Sequence, residues 1–148
     1  MPNQRFRYVR IPATPSKAFP HASHYHRPLI PVTLATGPKS ARLLALIDSG
    51  ADNTIFNMQV AAMLGLRLDN APADSFCGTS GQEQTARYRR LTIRVGAISY
   101  QAMIGFAELP FDVAGILGQD GFFDRFVVTL DQTRGLILLK RSLTDSRS

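Results

Sequence analysis

The chain has 148 residues, enough for one compact domain and too few for two well-cored ones. With 45% hydrophobic and 19% charged side chains it can bury a core, which excludes disorder throughout. No stretch approaches 18 consecutive apolar residues, so no membrane-crossing helix is expected, and Arg5, Arg7 and Arg10 leave no early apolar run for a secretory signal.

The net charge of +6 comes from 17 Lys and Arg against 11 Asp and Glu. Five of the basic residues, Arg5, Arg7, Arg10, Lys17 and Arg27, lie in residues 1–27, where there is no acid. Without them the chain is close to neutral, so the basicity is local. A basic arm can touch nucleic acid, an anionic membrane or an acidic partner, but a solvated terminus is the simpler reading. Pro2, Pro12, Pro15, Pro20, Pro28 and Pro31 crowd the first 31 residues, where no periodicity is visible. Residues 1–27 are therefore expected to be a flexible or surface-draped leader, 28–141 the folded domain, and 142–148 a frayed tail. The single cysteine, Cys77, closes no internal disulfide, which fits a reducing, cytoplasmic setting.

In chain order the folded part is mostly strand. Leu29, Ile30, Val32 and Leu34 form a run ended by a turn at Thr36-Gly37-Pro38. Arg42 to Ile47 is apolar on both faces, as a strand buried between layers would be, and Asp48-Ser49-Gly50 stops it. Asn57 is placed to cap a short helix through Val60, Ala61, Met63 and Leu64, with Gly65 as its stop. Phe76 to Gly81 has the composition of a hairpin tip. Tyr88, Leu91, Ile93 and Val95, a turn at Gly96-Ala97, then Ile98, Tyr100, Ala102 and Ile104 read as strand, turn and strand. Phe122, Phe123 and Phe126 suit a brief helical turn. Val127 to Leu130 and Leu136 to Leu139 make a closing hairpin. The sum is an all-β domain with one short helix, expected as a small closed barrel.

An acid at the end of an apolar strand is the anomaly. Burying a carboxylate is costly unless it is paired or hydrogen-bonded. Asp48 directly follows Leu43 to Ile47; Ser49 offers a hydroxyl to a local network, and Gly50 lets the backbone turn so that its amide can approach the acid. Taken alone, Asp-Ser-Gly is also ordinary turn chemistry.

The surrounding residues carry more. Leu46-Ile47-Asp48-Ser49-Gly50-Ala51-Asp52-Asn53-Thr54 resembles the active-site segment of retropepsin-like aspartic proteases, an apolar strand leading into Asp-Thr-Gly or Asp-Ser-Gly and often Ala-Asp. Gly115-Ile116-Leu117-Gly118-Gln119-Asp120 resembles that family's second landmark. Leu64-Gly65-Leu66 and the glycine-rich tip, Cys77, Gly78, Thr79, Ser80 and Gly81, fall in the family's order between them. The resemblance spans about Pro28 to Lys140. It implies an acid-protease barrel with one lobe per chain, a catalytic Asp48, Ser49 and Gly50, and a flap that closes on an extended peptide. Substrate would be bound by Ala51, Asp52, the tip residues Cys77 to Gly81, Ile116 and Gly118. No metal and no organic cofactor are implied. One Asp-Ser-Gly per chain implies a homodimer, because the family's chemistry needs two carboxylates. Gln119 departs from the pattern: many viral relatives have an arginine there that pairs with the acid in the place of Asp52.

Two other classes remain open on sequence: a catalytically silent peptide-binding or dimerisation module of the same fold, and a nucleic-acid-associated protein using residues 1–27. Other signals read more simply as structure. No histidine follows His26, so Cys77 lacks a nearby base; His21, His24 and His26 form a surface tract without a neighbouring carboxylate; Arg87, Arg89 and Arg90 make a solvated strand face.

Overall fold

Short apolar alternations, broken by glycine and proline, fold here into strand after strand. The computed structural model describes residues 3–77, 81–109 and 113–143; among these, one helix interrupts twelve strands. The strands that precede Asp48 are β1 (Gln4–Arg7), β2 (Val9–Pro12), β3 (His24–Arg27), β4 (Leu29–Thr36) and β5 (Lys39–Ile47). β4 and β5 are a hairpin closed at Gly37-Pro38, with Thr36 opposite Lys39 and Gly37 at a φ of 54°. Beyond Asp48, β6 (Ile55–Asn57) runs straight into α1 (Met58–Met63). The Asn57 side chain accepts a hydrogen bond from Gln59 N, and Gly65, at a φ of 65°, ends the turn as expected. The helix buries Val60, Ala61 and Leu64 and leaves Met63 exposed.

The rest is β7 (Ala73–Cys77), β8 (Glu83–Val95), β9 (Ile98–Ala107), β10 (Gly115–Leu117), β11 (Phe126–Asp131) and β12 (Leu136–Arg141). Seven of the strands form one sheet in the order β4-β5-β10-β6-β9-β8-β7, and β4 also pairs with β8, which wraps the sheet around the main core. β10 is the strand that builds the site. It lies parallel to β5, with Leu117 opposite Ile47, and antiparallel to β6, with Ile116 opposite Ile55. The segments that follow Ile47 and Leu117 therefore emerge side by side.

β8 changes phase along its length. Ala86 and Tyr88 are buried, then Leu91, Ile93 and Val95, so two inward residues are followed by a shift of one position. Leu91, Ile93 and Val95 join the main core with Ile30, Phe56, Phe106 and Phe122. Ala86 and Tyr88 join a smaller cluster with Ile55, Ala107 and Leu109, against which Ile116 and Phe76 pack. That second cluster lies under the site.

Two expectations need correction. The strand over Arg42 to Ile47 is not buried on both faces: Ala45 and Ile47 are inside, whereas Leu44 is 44% exposed. Residues 4–27 also contain three strands, in a stretch read from sequence as a flexible or surface-draped leader without periodicity. β2 and β3 pair with each other, and β1 pairs with β12 to extend the β11–β12 hairpin into a three-stranded sheet. Phe6 and Tyr8 pack against the main core. The local sequence hides this because four alternating residues among prolines carry little signal, and the partner of β1 lies at the far end of the chain.

No helix among the described residues is long and apolar enough to cross a membrane.

Candidate active site

Asp48 stands where β5 stops. Its backbone N donates to Leu117 O at 3.0 Å, the last link of β5 to β10, and the chain then turns as Ala51 N donates to Asp48 O at 3.2 Å. Gly50 N donates to Oδ1 of Asp48 at 2.9 Å. A Cβ at position 50 would lie 3.3 Å from that oxygen, so glycine gives the amide its close approach. One carboxylate oxygen is thereby fixed; the other makes no hydrogen bond among the described residues. The acid is half-buried, and Ser49 and Gly50 beside it are exposed.

The second landmark is stitched to this loop almost wholly through backbone. Gln119 N donates to Ala51 O at 2.8 Å, and Asp120 N donates to Asp52 O at 2.9 Å. Gly118 is packed so tightly that a Cβ there would meet Asn53 O at 2.3 Å and Ala51 O at 2.6 Å. Thr54 ties the two together. It is fully buried, its hydroxyl donates to Asp120 O at 2.8 Å, and the same oxygen accepts from Gly118 N at 3.2 Å. Below it, Tyr100 donates its hydroxyl proton to Gly121 O at 2.8 Å. These links hold Asp48 on a frame that does not depend on long, mobile side chains.

Gln119 has a definite task. Its side-chain Nε2 donates to Ser49 O at 2.7 Å, so a neutral amide bridges the two loops where the resemblance led to an absent arginine pair. Asp52 is exposed; its carbonyl serves the loop, and its carboxylate has no partner among the described residues. Ile116 is half-buried against the second cluster, and Gly118 is buried. The backbone thus brings Asp48, Ser49, Gly50, Ala51, Asp52, Ile116 and Gly118 together.

The hairpin proposed as a flap is formed by β7 and β8, with Cys77 opposite Glu83. Cys77 is exposed, and Gly81 has a φ of 77°, the left-handed conformation a glycine tip permits. Gly78, Thr79 and Ser80 lie outside the described residues.

Two titrating groups near the site are displaced. Tyr88 is raised above the usual phenol range, first by burial and then by the negative charge of Asp74, with Asp120 adding to it; the nearby Asn53 amide pulls the other way. No hydrogen bond of good geometry reaches its hydroxyl. Asp124 is raised by burial and by the neighbouring Asp120, against the opposing bond from Gly121 N and the Arg125 charge.

Sequence reasoning did not single out Thr54 or Tyr88, and it marked Gln119 only as the place of an absent arginine. A buried threonine six residues after the acid carries no local signal, since its role exists only when β10 slots between β5 and β6.

The family model described as "Aspartyl protease" matches residues 30–120. A crystal structure of a retropepsin-like aspartic protease from Rickettsia conorii superposes with a TM-score of 0.59 at 16% identity, covering 89% of this chain and 98% of that one. The EIAV protease complexed with the inhibitor HBY-793 is similar over 63% of this chain and 82% of that one, at 22% identity and a TM-score of 0.49. No curated protein shows a significant match. With both landmarks paired across β10 and the family model covering more than half of its length, the chain belongs to the aspartyl protease family and has the retropepsin-like fold.

Proposed function

We propose that this chain is an aspartic endopeptidase that works as a homodimer, with Asp48 of each copy supplying half of the catalytic pair. The observation that carries this reading is a single Asp-Ser-Gly loop per chain, rigidly framed, with one carboxylate oxygen bound to Gly50 N and the other left for chemistry. Hydrolysis of a peptide bond by this route needs two carboxylates: one protonates or polarises the scissile carbonyl while the other takes a proton from the attacking water. Carboxylates about 3 Å apart cannot both ionise readily, so a facing pair retains one proton for that task. The exposure of Ser49 and Gly50 beside a half-buried Asp48 suits a twofold contact in which the same loop meets itself. Ser49 hydroxyls bonding across the axis would steady both loops.

Substrate would enter as an extended strand along Ala51, Asp52, Ile116 and Gly118 and under the β7–β8 hairpin, whose tip residues Gly78, Thr79 and Ser80 belong to the same proposal. Closure of that hairpin would exclude water and add main-chain hydrogen bonds. The reaction so described calls for no metal or organic cofactor.

Dilution tests this directly. Specific activity on a peptide substrate should fall steeply as the protein is diluted through its dissociation range, in step with the loss of dimer measured by sedimentation. Undiminished specific activity in samples that sediment only as monomer would refute the proposal.

A further inference from the structure

Next to the catalytic loop lies an open hollow of about 310 Å³, and its chemistry is one-sided. Its lining includes Asn53, Asp120, Pro72, Asp74, Met103 and Tyr88. Two acidic residues line this space, and no lysine or arginine does. Neither Asp74 nor Asp120 has an ion-pair partner among the described residues, although the chain as a whole is basic. Arg87, opposite Ala73 in the β7–β8 register, is turned onto the Ala71 carbonyl at 3.0 Å.

Among the lining residues is Tyr88, whose hydroxyl is the one buried side-chain polar atom among the described residues with no hydrogen bond of good geometry. The residue is only 9% exposed, and its ring is pressed so closely on β9 that a Cβ at Gly105 would meet Cε1 at 2.8 Å. The neighbouring Asn53 amide acts on this hydroxyl without forming a bond of good geometry, so a donor from a ligand can complete it. Both acids and the phenol oxygen offer acceptors, which selects a donor bearing positive charge. The Met103 and Pro72 surfaces suit the methylene stem of a long basic side chain. Among the described residues no group of three His, Cys, Asp or Glu could hold a metal ion, so a bare cation is the poorer fit.

We propose that this hollow is a subsite selecting substrates with an arginine or lysine side chain outside the scissile pair, an inference that rests on the endopeptidase reading above. Its position follows from the chain: Asn53 belongs to the Asp48 loop, and Asp120 pairs with it across an isolated bridge just beyond Gly118. A peptide lying along the Asp48 loop would therefore pass close to Asn53 and Asp120.

The test uses an array of decapeptides in which each position carries arginine or its neutral isostere citrulline. Wild-type chain is read for cleavage and the Asp48→Asn chain for binding. At one position arginine should be preferred by about tenfold, the scale of a charged hydrogen bond set in a partly screened pair. Asp74→Asn should reduce that ratio to about twofold, and Tyr88→Phe should reduce it as well. Tyr88→Phe should meanwhile keep or raise the melting temperature, because it removes an unpartnered hydroxyl; a lost preference is then not a lost fold. Cleavage with no position favouring arginine over citrulline would overturn the subsite alone, as would a preference untouched by both variants. Arginine-selective binding that both variants weaken, without any cleavage by the wild type, would sustain the subsite and defeat the endopeptidase reading.

Discussion

Replacing Asp48 by asparagine should lower kcat/KM by about a thousandfold or more, while the chain folds and associates as before. The two expectations separate cleanly because of how the side chain is held. The bond from Gly50 N runs to Oδ1, and an asparagine carbonyl oxygen can accept it in the same place. What the amide cannot do is take a proton from water or give one to a carbonyl. Circular dichroism and sedimentation should therefore match the wild type, and peptide hydrolysis should disappear. A variant that still cut peptides at the parental rate would remove Asp48 from the chemistry.

Gly118→Ala should be the most damaging small substitution, costing about 3 kcal/mol of stability and most of the activity. Its Cβ would fall 2.3 Å from Asn53 O and 2.6 Å from Ala51 O, and both obstacles are backbone. Neither can rotate away, so relief requires the Asp48 loop and the β10 landmark to part. That movement would strain the Gln119 N to Ala51 O bond and the Thr54 hydroxyl bridge to Asp120 O and Gly118 N. The same substitution at Gly37 has open space around it and would suffer only from the positive φ. Chemical denaturation of both variants distinguishes the causes: the loss at position 118 should clearly exceed that at position 37. Equal losses would mean the close packing of the two loops is unimportant.

Much of the fold was legible because its signals are local. The Gly37-Pro38 turn, the Asn57 cap with its Gly65 stop, and the apolar alternation from Ile98 to Ile104 each sit within a few residues, and each appears in the structure. The Asp48 loop stood out because an acid ending an apolar strand conflicts with burial. What stayed hidden is non-local. The pairing of β1 with β12 joins opposite ends of the chain, and the insertion of β10 between β5 and β6 converts Thr54 from an ordinary loop residue into a buried clamp. Leu44 misled for a related reason: an apolar run says that a strand is possible, not which of its faces another layer covers. Tyr88 was read as one more strand residue, whereas the phase change in β8 turns it away from the main core and into the second cluster.

Mixing subunits tests the central claim most directly. Wild-type and Asp48→Asn chains are unfolded together in equal amounts, refolded, and assayed at the same total protein concentration as wild type alone. If two copies each contribute one Asp48, only pairs of wild-type chains cleave, and random pairing leaves about a quarter of the wild-type activity. An activity of about one half, the value for chains that act independently, would contradict the shared site.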